Sequence, residues 1–106
     1  MDWEVRITTR AREDLADIVR YGARDNPRAE EELGQALLFR LESLSTQPRL
    51  GIAIANHKRV RALLHRKYYI VYRCDEAMRL VVVLRFWHSA RDLGLLRIRE
   101  PGDPVS

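Results

Sequence analysis

The sequence predicts an α+β domain in which a small, mainly antiparallel sheet carries a helical hairpin on one face. The expected element order is β-α-α-β-β-β. Two observations predict it: amphipathic helical stripes occupy the first half of the chain, and alternating or wholly apolar runs with short polar turns occupy the second half. We expect one domain over residues 1–98 and a flexible tail, R-E-P-G-D-P-V-S, at 99–106.

The chain starts with a strand and a first helix. In W-E-V-R-I-T (residues 3–8) apolar and polar residues alternate, which is typical of a half-buried strand. Thr8 or Thr9 can cap the helix that follows at about 10–23, where apolar residues recur with helical spacing.

A second helix starts at a local signal in the sequence. Asn26 suits the N-cap, and Pro27 suits the first helical position because its missing N–H has no partner there in any case. The leucine stripe continues to about Ser45, and Pro48 ends the helix. Because the link between the two helices is short, they should form an antiparallel hairpin.

The second half predicts three strands joined by hairpin turns. We expect a loop over R-L-G-I-A-I-A-N-H-K (49–58), and the run at 79–87 is apolar on both faces, as in a central strand. The strands are expected at 60–64, 68–74 and 79–87, with turns at 66–67 and 75–77. The predicted core is Val5, Ile7, Leu15, Ile18, Val19, Leu33, Leu37, Leu41, Ile70, Tyr72, Val82 and Leu84.

Composition excludes several classes of protein. With 46% hydrophobic and 32% charged residues, the chain is not disordered, and its longest apolar run, 80–84, is far below the roughly 20 residues that span a bilayer. We therefore expect no membrane association. The single cysteine, Cys74, excludes an internal disulfide and favours a reducing, cytoplasmic location.

Charge is unevenly distributed along the chain. The net charge is +4, from 19 Lys and Arg against 15 Asp and Glu, and the stretch 43–74 contains no acidic residue. It therefore predicts a basic surface suited to nucleic acid or to an acidic partner. The alternative interpretation is an ordinary solvated strand surface.

Two motifs give the chain a resemblance to a known family. R-A-L-L-H-R-K-Y-Y-I-V-Y-R (61–73) and V-L-R-F-W-H-S-A-R-D (83–92), with the element order and size, make residues 3–97 resemble the RelE/ParE toxins of bacterial type II toxin–antitoxin modules. The resemblance implies a cognate antitoxin protein as partner and no cofactor. It also implies one of two mechanisms: RelE-like members cut mRNA in the ribosome, whereas ParE-like members, some linked to plasmid stabilisation, are associated with poisoning DNA gyrase without an enzymatic step.

Three positions favour the ParE-like mechanism. Where the nucleases carry two arginines and a tyrosine, the resemblance aligns Tyr69, Ser89 and Leu95. We therefore expect a toxin that binds DNA gyrase, with a RelE-like mRNA endoribonuclease as the alternative. If the chain is a nuclease, the candidate catalytic residues are Arg61, Arg85, His88 and Arg91.

Structural roles are the preferred interpretation of several reactive residues. His88 is expected to be a hydrogen-bonded residue at a strand end, and Asp92 to pair with Arg91 or Arg85. The tyrosines are expected to pack with solvated hydroxyls. These are Tyr68, Tyr69 and Tyr72.

Binding is expected to use the basic strands. No metal site is predicted, because His57 and His65 lack accompanying carboxylates or thiols. A second alternative function is a plain basic nucleic-acid-binding domain, although the sequence lacks a recognition helix. The expected binding surface consists of Arg59, Arg61, Arg66, Arg73 and Arg91.

Overall fold

A five-stranded sheet in the order β1-β5-β4-β3-β2 forms the centre of the fold. The structure, a computed structural model, describes residues 2–22, 26–54 and 57–96. The predicted domain end at 98 and the tail at 99–106 lie outside the described residues. In chain order the elements are β1 (Glu4–Ile7), α1 (Thr9–Gly22), α2 (Pro27–Arg40), α3 (Glu42–Thr46), β2 (Ile52–Ile54), β3 (His57–His65), β4 (Tyr68–Asp75), β5 (Leu80–His88) and a 3₁₀ turn, Leu93–Leu95.

The expected α+β class and mainly antiparallel sheet are confirmed. β5 is an interior strand: it pairs with β1 in parallel and with β4 antiparallel, and the remaining pairs are antiparallel. The predicted caps also form, since the Thr8 hydroxyl accepts the N–H of Ala11 at 3.1 Å and the Asn26 side chain accepts the N–H of Ala29 at 3.2 Å.

Both long helices pack on the same face of the sheet. Residues that share a face of β4 and β5, such as Tyr72 and Val83, join Leu37 of α2 and Ala11 of α1 in one buried cluster. A Cβ on Gly34 would lie 2.8 Å from Val19 Cγ2, so the absence of a side chain at Gly34 lets α1 and α2 approach closely.

The opposite face of the sheet is buried as well. Val60, Val71 and Trp87 form a second cluster, which is closed by Leu96 after the 3₁₀ turn. The sheet therefore carries apolar side chains on both faces. This explains why β5, whose residues contribute to both clusters, is apolar throughout most of its length.

The predicted core is largely found, with one error of phase. Leu37, Leu41, Ile70, Tyr72 and Leu84 are buried, and Val5, Ile7, Leu15, Ile18 and Leu33 are partly buried against the helix-side cluster. Val19 is half-buried. Val82 is only half-buried and, like Leu84, belongs to the opposite cluster, whereas Val81 and Val83 are the fully buried β5 residues on the helix side.

Two elements differ from the expected order. Residues 52–54 form an edge strand and not a loop, because they pair with β3, for example Ile52 with Ala62. The second helix is interrupted at Leu41, whose N–H donates to the Leu38 carbonyl at 3.2 Å before α3 begins.

None of the helices in the described ranges is long and apolar enough to cross a membrane.

Candidate functional site

Two surface concavities lie near opposite ends of β4. We call the first the His88 cleft. It lies between α1, α2, the turn that joins β3 to β4, and the end of β5. Its lining includes Lys67, Tyr68, Arg85, His88 and Arg91. We call the second the arginine cleft; it is lined by Arg49, Arg59, Arg61, Arg73, Cys74, Asp75, Glu76 and Ala77.

His88 ends β5 and is held on two sides. Its Nδ1 accepts the N–H of Ala90 at 3.0 Å, and its ring stands edge-on to Tyr68, with ring centroids 5.0 Å apart at 77°. In the neutral imidazole one nitrogen accepts and the other carries the proton, so this contact leaves Nε2 as a donor. The contacts agree with the structural role expected for this residue.

Arg85 forms a partly buried ion pair with Asp14 of α1. Its Nε donates to Asp14 Oδ2 at 2.6 Å and its Nη2 to Oδ1 at 3.1 Å, while the N–H of Phe86 donates to Oδ2 at 3.1 Å. β1 ends opposite Val83, so the carboxylate meets β5 just past the point where β1 stops pairing with it. Asp14 therefore joins α1 to the edge of the central strand.

Arg91 is engaged by an aromatic ring. Its guanidinium carbon lies 3.8 Å from the centroid of the Trp87 ring, and the Trp87 indole N–H donates to the Arg91 carbonyl at 3.3 Å. This cation–π contact fixes the chain where it leaves β5.

Arg61 lies away from the other candidate catalytic residues. It pairs with Tyr72 of β4, which pairs with Val83 of β5. His88 is five residues beyond Val83, roughly 16 Å at about 3.3 Å per residue. The structure thus brings Arg85, His88 and Arg91 to one cleft and Arg61 to the other.

The expected binding surface is divided in the same way. Arg59, Arg61 and Arg73 line the arginine cleft, and Arg91 lines the His88 cleft. Arg66 is exposed at the turn between β3 and β4.

Neighbouring contacts organise the arginine cleft. Arg61 Nη1 donates to the Gly51 carbonyl at 2.9 Å, and the Gly51 N–H donates to the Tyr72 hydroxyl at 2.8 Å. Arg49 forms an ion pair with Glu76. A Cβ on Gly51 would lie 2.9 Å from the Ala62 backbone, so a glycine is needed at this close approach.

Burial governs the ionisation of the reactive groups beside this cleft. It raises the pKa of the Cys74 thiol, an effect that Arg61 opposes, and the thiol therefore stays protonated at neutral pH. Burial also raises the pKa of the Tyr72 hydroxyl, partly offset by its hydrogen bond from Gly51. Neither group is poised as a nucleophile.

Two expectations about side-chain partners are wrong. Tyr72 is fully buried, and its hydroxyl is occupied by the Gly51 N–H and not by solvent. Among the described residues, Asp92 does not pair with either arginine: its Oδ1 accepts the Gly94 N–H at 2.8 Å and caps the 3₁₀ turn. Arg85 already pairs with the Asp14 carboxylate, so Asp92 accepts the Gly94 N–H instead of forming an ion pair with Arg85.

The three positions that favoured the ParE-like mechanism have ordinary structural surroundings. Tyr69 is partly buried beside the Trp87 cluster and pairs with Trp87 across the strands. The Ser89 N–H donates to the Lys67 carbonyl at 2.8 Å, and Leu95 is an exposed residue of the 3₁₀ turn.

Solved structures resemble this arrangement of sheet and helices. A chain of the chromosomal ParDE toxin–antitoxin system from P. aeruginosa matches with a TM-score of 0.71 and 19% identity, over 81% of this chain and 95% of that chain. A chain of the RelBE2 toxin–antitoxin complex from Mycobacterium tuberculosis matches with a TM-score of 0.61 and 27% identity, over 83% of this chain and 99% of that one. Both define the same class of small α+β fold.

The sequence identifies the family itself. The family model described as "ParE toxin of type II toxin-antitoxin system, parDE" matches residues 5–93, and the chain therefore belongs to this family of toxins. Comparison with curated protein sequences gives no match.

Proposed function

We propose that the chain inhibits bacterial growth by binding DNA gyrase, that it does not cut RNA, and that a cognate antitoxin neutralises it. Family membership supports the toxin role. The observation that carries the choice of mechanism is that the candidate catalytic groups are separated or already engaged. Arg61 lies in a different cleft from the others, Arg85 is paired with Asp14, and His88 accepts the Ala90 N–H.

The chemistry of RNA cleavage explains why these contacts matter. Attack by a 2′-OH needs a group that takes its proton and cations that stabilise the developing charge on the phosphate. The acceptor nitrogen of His88 is occupied, and the charge of Arg85 is compensated by a carboxylate. Arg61 lies in the other cleft, roughly 16 Å along the strands from His88, and is too far away to contact the same phosphate.

The antitoxin partner is proposed from the neighbours and from the surface. Both similar structures come from toxin–antitoxin systems. On α2, Phe39 is 74% and Leu38 is 43% exposed, so the helical hairpin offers apolar anchors in addition to the charge of the basic strands. Charge complementarity mainly speeds association, whereas buried apolar anchors slow dissociation. Arg73→Glu should therefore slow association, and Phe39→Ala should speed dissociation.

A RelE-like endoribonuclease is the second candidate. The similarity to a chain of the RelBE2 complex favours it, as does the presence of Lys67, Tyr68, His88 and Arg91 around one cleft. In that mechanism the contact between His88 and Ala90 would have to open when RNA binds.

Induction of the chain in growing bacteria separates the two mechanisms. Primer extension on a translated mRNA detects ribosome-dependent cuts, and trapping of protein-linked DNA detects gyrase complexes in the same culture. We expect growth arrest with gyrase–DNA complexes and uncut mRNA. His88→Ala should remain toxic, and cuts at the ribosomal A site that disappear in His88→Ala or Arg61→Ala would establish the nuclease instead.

A further inference from the structure

The arginine cleft has an excess of uncompensated positive charge. It has a volume of about 510 Å³, within the range of roughly 300–1,000 Å³ typical of small-molecule sites. Arg49 is paired with Glu76, and Asp75 Oδ1 accepts the N–H of Met78 at 3.1 Å. Within the described ranges, the other three arginines of the lining, Arg59, Arg61 and Arg73, have no carboxylate within ion-pair distance.

Arg73 and Arg61 are held in place by the sheet. Arg73 pairs with Val60 and Val82 on the neighbouring strands, and its Nε is buried without a hydrogen-bond partner among the described residues. Arg73 Nε therefore has a hydrogen bond left to donate, and a buried donor is stabilised by an acceptor. Arg61 uses Nη1 for the Gly51 carbonyl, which orients the rest of its guanidinium.

Arg59 occupies a backbone position that favours glycine. Its φ is 67°, in the irregular segment between the pairs Ala53–Arg61 and Ile54–His57. Glycine adopts this left-handed conformation without steric cost, whereas arginine is strained there. Residues with strained backbone cluster at functional sites, and Arg59 lines the cleft.

The lining favours a phosphate over a protein segment. The only apolar side chains among the described lining residues are the small ones of Ala77 and Cys74. The cleft therefore has no large apolar or aromatic residue of the kind that dominates binding between proteins. Three guanidinium groups also offer more donors than the two oxygens of a planar carboxylate can use, whereas a phosphate presents more oxygens in several directions.

We propose that Arg59, Arg61 and Arg73 form a phosphate-binding site. The phosphate can come from free phosphate or a nucleotide, or from the backbone of a nucleic acid. All three arginines belong to this chain, so the proposed site does not depend on which target the toxin binds.

The test compares two glycine substitutions in the purified full chain. Arg59→Gly and Arg66→Gly each remove one positive charge from a left-handed position, since φ of Arg66 is 58°, but Arg66 lies outside the cleft. Inorganic phosphate is titrated at constant ionic strength while the arginine Nε–H signals are followed by NMR. We expect Arg59→Gly to weaken phosphate binding about tenfold, as loss of one charge-assisted contact does, and Arg66→Gly to change it less than about twofold.

A second arm identifies the source of the phosphate. A fluorescent single-stranded DNA of about 12 nucleotides is bound to the same variants over a range of salt concentrations. Weaker DNA binding by Arg59→Gly than by Arg66→Gly assigns the site to a nucleic-acid backbone. Equal DNA binding by both variants, with phosphate affinity lowered only in Arg59→Gly, assigns it to free phosphate or a nucleotide.

Three outcomes would overturn the proposal. The first is an equal loss of phosphate affinity in both variants, and the second is that the Nε–H signals of Arg59, Arg61 and Arg73 do not change on titration. The third is that hexaglutamate displaces phosphate at a concentration lower than the phosphate concentration needed for half-saturation. Folding of each variant is checked by circular dichroism. If Arg59→Gly does not fold, Arg59→Asn replaces it, because asparagine also tolerates left-handed backbone.

Discussion

Replacing Asp14 with alanine should destabilise the protein severely, although Asp14 lies on a surface helix. Its carboxylate and the Arg85 guanidinium each keep only 11% of their side-chain surface exposed, and the carboxylate accepts two hydrogen bonds from Arg85 and one from the Phe86 N–H. Removing one partner of a buried pair costs about 3–5 kcal/mol because the other charge is left unpaired. Since some solvent reaches this pair, we expect about 3 kcal/mol.

Urea unfolding monitored by circular dichroism measures this loss. Near the melting temperature, about 3 kcal/mol corresponds to a fall in Tm of about 12–24 °C for a domain of this size. The matched control is Asp17→Ala in the same helix, because Asp17 is 56% exposed and its ion pair among the described residues is with Arg20 at 3.5 Å. Such surface pairs contribute about 0–1 kcal/mol. If Asp14→Ala is no more destabilising than Asp17→Ala, Asp14 does not link α1 to β5.

Three further predictions concern stability. Leu37→Ala should cost about 2–5 kcal/mol in unfolding free energy because Leu37 is fully buried, whereas Leu38→Ala on the exposed side of α2 should cost little; equal costs would contradict the assigned helix face. Tyr72→Phe leaves the Gly51 N–H unsatisfied and should cost about 1–3 kcal/mol, and an unchanged urea midpoint would contradict this. Burial and two nearby arginines lower the pKa of His65 from its ordinary 6.5, so an NMR titration should find its midpoint below that value. Since the folded state disfavours the imidazolium, stability should fall as pH drops from about 6.5 through the folded pKa, and His65→Gln should flatten this fall.

Local signals were enough to predict most of the fold. The N-cap at Asn26 and the proline after it are read directly from neighbouring residues, and α2 starts there. Pairing between strands was harder to predict. β2 is three residues long, and only its pairing with β3 distinguishes it from a loop.

For a related reason, the sequence could not predict which β5 residues face the helices. Its residues are apolar on both faces, so alternation does not tell Val82 from Val81. An irregularity in the β4–β5 pairing between Val71 and Tyr72 shifts the phase further along the strand.

The arginines of the site were predicted as a set, but their grouping was not. Charge along the sequence identifies Arg59, Arg61 and Arg73, while the separation of Arg61 from His88 depends on strand register. The sequence did not indicate the role of Asp14, because its partner Arg85 is 71 residues away along the chain.

The most direct test of the proposed function is a cleavage assay with purified toxin, DNA gyrase, ATP and supercoiled plasmid, stopped with detergent and protease. The proposal predicts that linear DNA accumulates with toxin concentration, only when gyrase is present, and equally with His88→Ala. Absence of linear DNA at saturating toxin, together with cuts in a translated mRNA by the same preparation, would contradict it.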